Sequence, residues 1–144
     1  MIFYQTKLFN IESREKPHIA REDGGHLIIN SLAHRDALED LTNEEANELM
    51  RLIIAAGKAM KAGLAKSGIE LWNINYQCNA NFNRVFHFHL YGRSVNAKQH
   101  PKNTCIQHGP TYEEFKKQIA DLTPLTPDDI SNIKEEFEKI WISN

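Results

Sequence analysis

The chain has 144 residues, of which 41% are hydrophobic and 25% charged, and its formal net charge is -2. These values are ordinary for a globular protein with one core, and they exclude a strong overall attraction to nucleic acid or to an anionic membrane. No apolar run is long enough to cross a bilayer, and the N-terminus lacks the basic-then-apolar order of a signal peptide. Cys78 and Cys105 do not make a disulfide framework, so we expect a single cytoplasmic domain over residues 1–144, with reduced thiols and no cofactor.

The N-terminal part alternates short apolar runs with polar segments. Residues 2–8 are predicted to form a strand, and residues 11–16 a loop. Two apolar runs, residues 17–21 and 26–30, flank an Asp-Gly-Gly turn, and this arrangement predicts a β-hairpin. A short helical piece is expected at residues 36–41.

The clearest helix begins after Thr42. Thr42 and Glu45 have the spacing of a capping box, in which a hydroxyl is followed three residues later by a carboxylate. Apolar residues then recur at helical spacing, at Ala46, Leu49, Met50, Ile53, Ile54, Met60 and Leu64. Gly68 is a plausible C-terminal stop, so the pattern predicts one long helix.

Two neighbouring strands follow the helix. Residues 69–78 alternate between two faces, residues 79–83 form a polar turn, and a second strand follows, so the two strands are expected to be antiparallel neighbours. In the second strand one face carries Phe86, Phe88 and Leu90, and the other carries Val85, His87, His89 and Tyr91. The first face is expected to pack on the core.

The C-terminal part begins with a polar segment, residues 94–110. Thr111 opens a second capping box and therefore a second helix. Thr126 precedes a third helix, in which Pro127 takes the first helical position, where its missing N–H is harmless. The sequence therefore predicts two C-terminal helices.

His87 and His89 are the candidate chemical groups, because a strand places them on one face about 7 Å apart. Near neutral pH one imidazole could attack a phosphorus centre while the other protonates the leaving group. Arg84 and Arg93 could supply positive charge to the phosphate oxygens. Two other interpretations stay open: a structural pair, or a metal site with further ligands drawn from His100, Cys105, His108 and Cys78.

Residues 84–93 resemble the signature of the histidine-triad superfamily, in which three alternating histidines are followed closely by an arginine. The Gly25-His26 strand, the capped helix after Thr42 and the asparagine-bearing strand at Asn73 and Asn75 agree with the family in order and spacing. The resemblance covers residues 17–101, and it leaves residues 102–144 as a C-terminal extension.

The resemblance implies an α+β fold, with an antiparallel sheet, a long central helix packed on it and C-terminal helices. It implies a homodimer that binds a nucleotide, while the net charge and the hydropathy argue against nucleic acid and membrane as partners. It also implies hydrolysis or transfer at the α-phosphate of a nucleotide through a nucleotidyl-histidine intermediate. Aligned on the motif, His87 is the nucleophile and His89 its acid partner, while Val85 replaces the first histidine.

The resemblance assigns nucleotide or phosphate contacts to Asn75, Asn81 and Arg93. Arg93 could instead close the fold as a structural cation. Phe82 stands where the family often has a serine that binds the leaving group, which weakens the case for phosphoramidase activity.

Two alternative functions are kept. One is a catalytically weak protein that binds a nucleotide or anion, since Val85 and Phe82 depart from the family pattern; the other is a metal-binding protein. Among the remaining histidines, His26 is expected to be architectural, and His18 and His34 are expected to lie at the surface.

Overall fold

The computed structural model describes residues 1–78, 85–106 and 109–142. Its strands and helices are β1 Ile2–Gln5, β2 Phe9–Ser13, β3 His26–Ser31, α1 Asn43–Lys66, β4 Leu71–Gln77, β5 His87–Ser94, α2 Tyr112–Ile119 and α3 Pro127–Ile142. Short 3-10 helices lie at Arg21–Asp23 and Leu38–Asp40. None of the helices in this described part combines the length and the low charge that crossing a bilayer requires.

The five strands form one antiparallel sheet in the order β1-β2-β3-β5-β4. The prediction that β4 and β5 are antiparallel neighbours is confirmed, and so is the α+β fold class. Because β5 lies between β3 and β4, the histidine strand is held by hydrogen bonds along both of its edges. The sheet therefore gives the two histidines a rigid support.

The predicted N-terminal hairpin is wrong. The strand that pairs with β3 is β2, which was expected to be partly a loop, and residues 17–25 form a connection with a short 3-10 helix. The strand arises because Phe9 and Ile11 alternate with polar residues and are both fully buried. In the connection, the carboxylate of Asp23 accepts hydrogen bonds from the N–H groups of Lys98 and Gln99, at 2.8 and 2.6 Å.

The connection also needs glycine where it crosses β5. Gly24 has φ +126°, a backbone conformation that L side chains rarely adopt, and its carbonyl group lies against Gly92. A Cβ atom at Gly92 would collide with this carbonyl. Gly24 and Gly92 together allow the segment before β3 to pass close to the histidine strand.

Helix α1 begins and ends where the sequence predicts. Its Thr42 side chain accepts from Glu45 N, and the Glu45 carboxylate accepts from Thr42 N at 2.7 Å. Gly68, with φ +78°, follows the helix. The buried face of α1 includes Leu49, Leu52 and Met60 and covers one side of the sheet.

Helix α3 packs against α1 and belongs to the same core, through Ile133 and Phe137, both fully buried. It is also tied to the segment before β3, since Arg21 Nε and Nη2 donate to the Asp129 carboxylate at 2.6 and 3.1 Å. Burial would raise the pKa of Asp129, but hydrogen bonds from Arg21, Ser67 and Thr126 lower it to about 2. The C-terminal extension therefore anchors the connection that leads into β3.

Candidate active site

The two faces of β5 are those that the sequence predicts. Phe86 and Leu90 are buried in the core under α1, and Phe88 packs against the same core. His87, His89 and Tyr91 lie on the opposite face. In the pairing of β3 with β5, His26 stands opposite Tyr91 and therefore faces the same side. The imidazoles of His26, His87 and His89 therefore lie on the same side of the sheet.

His87 is partly exposed, and its Nδ1 atom lies 2.6 Å from the carbonyl oxygen of Val85. A carbonyl oxygen can only accept, so His87 Nδ1 carries a proton and donates. In the neutral ring the lone pair is therefore on Nε2. The His87 ring stands edge-on to His89, with ring centroids 4.6 Å apart. In its neutral form His87 thus presents the lone pair of Nε2 beside a second imidazole.

His89 is buried and belongs to a chain of hydrogen bonds. The backbone N–H of His18 donates to His26 Nδ1 at 3.1 Å, and His26 Nε2 lies 2.9 Å from His89 Nδ1. Because the N–H group can only donate, the neutral His26 ring carries its proton on Nε2 and donates it to His89. His89 Nδ1 then accepts, and the proton of His89 is on Nε2. His87 and His89 are therefore opposite tautomers.

His18 completes the cluster, and its predicted place at the surface is wrong. The ring is only partly exposed, its Nδ1 atom lies 2.7 Å from the Tyr91 hydroxyl, and Phe115 of α2 meets it edge-on at 4.8 Å. Burial raises the pKa of Tyr91, so its hydroxyl remains protonated. The flanking Pro17 and Ile19 are buried as well, so the inward position of His18 comes from the fold of the connection and not from side-chain alternation.

Arg93 lies on the same face, but its guanidinium is bound by other groups of the protein. Its guanidinium donates to Asn75 Oδ1 at 2.9 Å and to the carbonyl oxygens of His100, Pro101 and Thr104 at 2.9–3.0 Å, and the residue is only 2% exposed. These are the contacts of a cation that closes the fold, the second of the two roles considered for it. Phosphate contacts from Arg93 and Asn75 stay predictions.

Asn81 and Phe82 lie outside the described residues, as do Arg84 and His108.

A cavity of about 230 Å³ opens beside His87, close to Val85 at the start of β5. Its lining includes Leu38, Cys78 and the carboxylate-bearing residues Asp36 and Glu39. His87 therefore borders this cavity.

A metal interpretation meets a difficulty in the hydrogen bonds. Among the described residues the structure brings His89 together with His18 and His26, and their ligand nitrogens lie within 4.8 Å of one another. The further ligands considered from sequence, Cys78, His100 and Cys105, are not in this cluster, and His108 lies outside the described residues. A metal at His26 Nε2 would need the ring proton on Nδ1, where the N–H of His18 already donates. The hydrogen bonding therefore indicates that His26 Nε2 carries a proton, which leaves this nitrogen without a lone pair for a metal ion.

Sequence comparison alone finds no relatives: neither a protein-family model nor a curated protein matches the chain. Solved structures do match. A zinc-bound histidine triad family protein from Mycobacterium smegmatis has a TM-score of 0.58 and 14% identity, over 99% of this chain and 87% of that one. A histidine triad protein from Bradyrhizobium japonicum has a TM-score of 0.60 and 13% identity, over 96% and 88%.

A hypothetical histidine triad nucleotide-binding protein from Sulfolobus tokodaii is similar to the same extent. Its TM-score is 0.59 at 11% identity, and the match covers 95% of this chain and 83% of that one. At these identities the similarity establishes a shared fold, and it extends over the C-terminal helices as well as the sheet.

Proposed function

We propose that this divergent protein of the histidine-triad fold is a nucleotide hydrolase or nucleotidyl transferase that acts at the α-phosphate through a nucleotidyl-histidine intermediate. The observation that carries the proposal is the hydrogen bonding of two adjacent rings, from which opposite tautomers follow. His87 presents a lone pair on Nε2, fixed by Val85 O, while His89 presents a proton on Nε2. A nucleophile and a hydrogen-bond donor thus stand side by side.

In the proposed reaction, His87 Nε2 attacks the α-phosphorus and forms an N–P bond. The bond between phosphorus and the leaving group breaks, and its electron pair departs with the leaving group. The Nε2–H of His89 donates a hydrogen bond to the negative charge that develops there. Water, or the hydroxyl of an acceptor, then attacks the phosphorus and forms a P–O bond. The N–P bond breaks, its electron pair returns to His87 Nε2, and the proton of the attacking group passes to solvent.

The covalent intermediate gives the direct test. Mixing the protein with a dinucleoside polyphosphate or a nucleoside phosphoramidate and quenching in denaturant should add the mass of one nucleotidyl group. Peptide mapping should place this group on His87. Binding of the nucleotide without any adduct or turnover would instead support the catalytically weak binding protein that Val85 suggests. Stoichiometric zinc that is lost in His89→Ala would support the metal-binding alternative.

We also propose that the protein forms a homodimer through the α1–β4 face, defined here by Met50, Ile54 and Tyr76. These side chains are 58%, 50% and 45% exposed. They are adjacent, since the Tyr76 hydroxyl lies against Gly57, three residues after Ile54 on α1. Strand β4 is at an end of the sheet, so its outer backbone groups are open to a second strand. A second copy of the chain offers the matching apolar face and strand.

The dimer can be tested by a charge on this face. Ile54→Glu is expected to convert a dimer into a monomer in sedimentation equilibrium, because a buried unpaired carboxylate is costly. Ile2→Glu, on β1 at the opposite end of the sheet, changes a residue of similar exposure, 53%, and should leave the dimer intact. A monomeric wild type, or equal effects of both variants, would contradict the assignment.

We propose a cytoplasmic location, and the state of the two thiols supports it. Cys78 and Cys105 are both free and exposed. Exposed unpaired thiols suit a reducing compartment, which supports a cytoplasmic location.

A further inference from the structure

We propose that the backbone N–H of His18 fixes the protonation of His89 and thereby makes the site selective for leaving groups that depart as stable anions. The inference rests on the proposed function and deepens it, since it assigns a positioning residue and a class of leaving group to the same site. It depends on hydrogen bonds that join two distant parts of the chain, the connection before β3 and strand β5.

The first step is the direction of the hydrogen bonds. The amide of His18 has one proton and no lone pair to offer, so His26 Nδ1 must accept from it. His26 then holds its own proton on Nε2, which faces His89 Nδ1 at 2.9 Å. A doubly protonated His89 would place a second proton between these two nitrogens. The ring of His89 can therefore become cationic only if His26 gives up its bond with the amide.

The second step is the rigidity of the amide. The His18 ring lies tilted against the His26 ring with centroids 4.5 Å apart, and its Nδ1 atom lies 2.7 Å from the Tyr91 hydroxyl. Phe115 covers the ring edge-on. Further along the same connection, Arg21 N donates to Thr123 O at 2.8 Å, and the Arg21 side chain binds Asp129. The Arg21 contacts hold the backbone of the connection independently of the His18 ring, so the amide keeps its place when the ring is removed.

The third step is the chemical consequence. A neutral imidazole donates a hydrogen bond readily, but to give up its proton it would have to become an imidazolate anion. When His87 attacks, the electron pair of the broken bond must therefore be stable on the departing atom without a new proton. Phosphate and carboxylate oxygens meet this condition, whereas an amine nitrogen does not. The site thus favours a phosphoric or mixed anhydride of a nucleotide over a phosphoramidate.

Nuclear magnetic resonance of the ¹⁵N-labelled protein tests the tautomer without any substrate. At neutral pH, two-bond ¹⁵N–¹H correlations should show His89 with its proton on Nε2 alone and His26 likewise. A doubly protonated His89, or a proton on His89 Nδ1, would overturn the inference. The measurement needs no variant, and its outcome is independent of whether the protein turns over any nucleotide.

Two variants at His18 distinguish the effect of its backbone amide from the effect of its imidazole ring. His18→Ala removes the ring and keeps the N–H, whereas His18→Pro removes both. We expect His89 to keep its tautomer in His18→Ala and to become doubly protonated in a large fraction of His18→Pro molecules. The same change in both variants would contradict a role of the amide. Should His18→Pro fail to fold, the wild-type spectrum still decides the question.

Kinetics with two probes test the selectivity. One is the 4-nitrophenyl ester of a nucleoside monophosphate, whose phenolate leaves as an anion; the other is an alkylamine phosphoramidate of the same nucleoside. His18→Pro should raise the rate ratio of phosphoramidate to ester at least about tenfold, since a positioned general acid contributes a hundredfold or more. His18→Ala should leave the ratio as in wild type. Turnover with equal ratios overturns the inference alone, whereas no turnover of either probe overturns the proposed function.

Discussion

His87→Ala is expected to lower turnover at the α-phosphate by at least about a hundredfold, because removal of an activated nucleophile typically costs this much or more. The reason is geometric. Val85 O holds the proton of His87 on Nδ1 and leaves Nε2 as the attacking atom. The measurement is the initial rate at saturating substrate, together with the yield of nucleotidyl adduct, which should fall to zero.

Two variants serve as controls for this prediction. His89→Gln keeps an N–H donor near the leaving group and should still form the adduct, more slowly. His34→Ala changes a histidine whose side chain is 74% exposed and should keep the wild-type rate. Equal rates in wild type and His87→Ala, with both proteins folded, would remove the enzymatic proposal and leave the binding protein.

Arg93→Met is expected to destabilise the protein by about 3–5 kcal/mol, because several buried oxygen atoms lose their donor and each such loss costs about 1–3 kcal/mol. Methionine keeps the apolar stem but removes the guanidinium that binds Asn75 and three carbonyl oxygens of residues 100–104. The guanidinium also lies over the Trp72 ring, at 5.6 Å. Urea denaturation measures the loss, and the segment around residue 100 should become the first to exchange its amide protons.

The matched control is Arg51→Met. Arg51 also lies over a tryptophan, at 4.9 Å from the ring of Trp141, but it is exposed, and a surface contact of this kind contributes about 0.5–1 kcal/mol. A stable Arg93→Met protein that no longer binds nucleotide would show that Arg93 is a phosphate contact. A destabilised protein that binds nucleotide normally when folded would assign Arg93 to the fold.

Local sequence patterns were sufficient to predict many of the helices and strand faces of this protein. The capping boxes at Thr42 and Thr111 and the alternation from Phe86 to Tyr91 are short-range features, because a helix cap or a strand face involves only a few neighbouring residues. They correctly predicted α1, α2 and the side of β5 on which His87 and His89 lie. One failed prediction is the N-terminal hairpin, since a Gly-rich turn indicates a change of direction without specifying which strands pair.

The sequence by itself therefore determined that two imidazoles share one rigid face, because side-chain alternation along a strand needs no other part of the chain. Only the tertiary structure decided which ring nitrogen of each imidazole carries the proton. The partner of His89 is 63 residues away in His26, and the ring of His18 meets a hydroxyl 73 residues away in Tyr91. The position of a ring proton depends on which group faces each nitrogen, and packing between distant segments sets that arrangement.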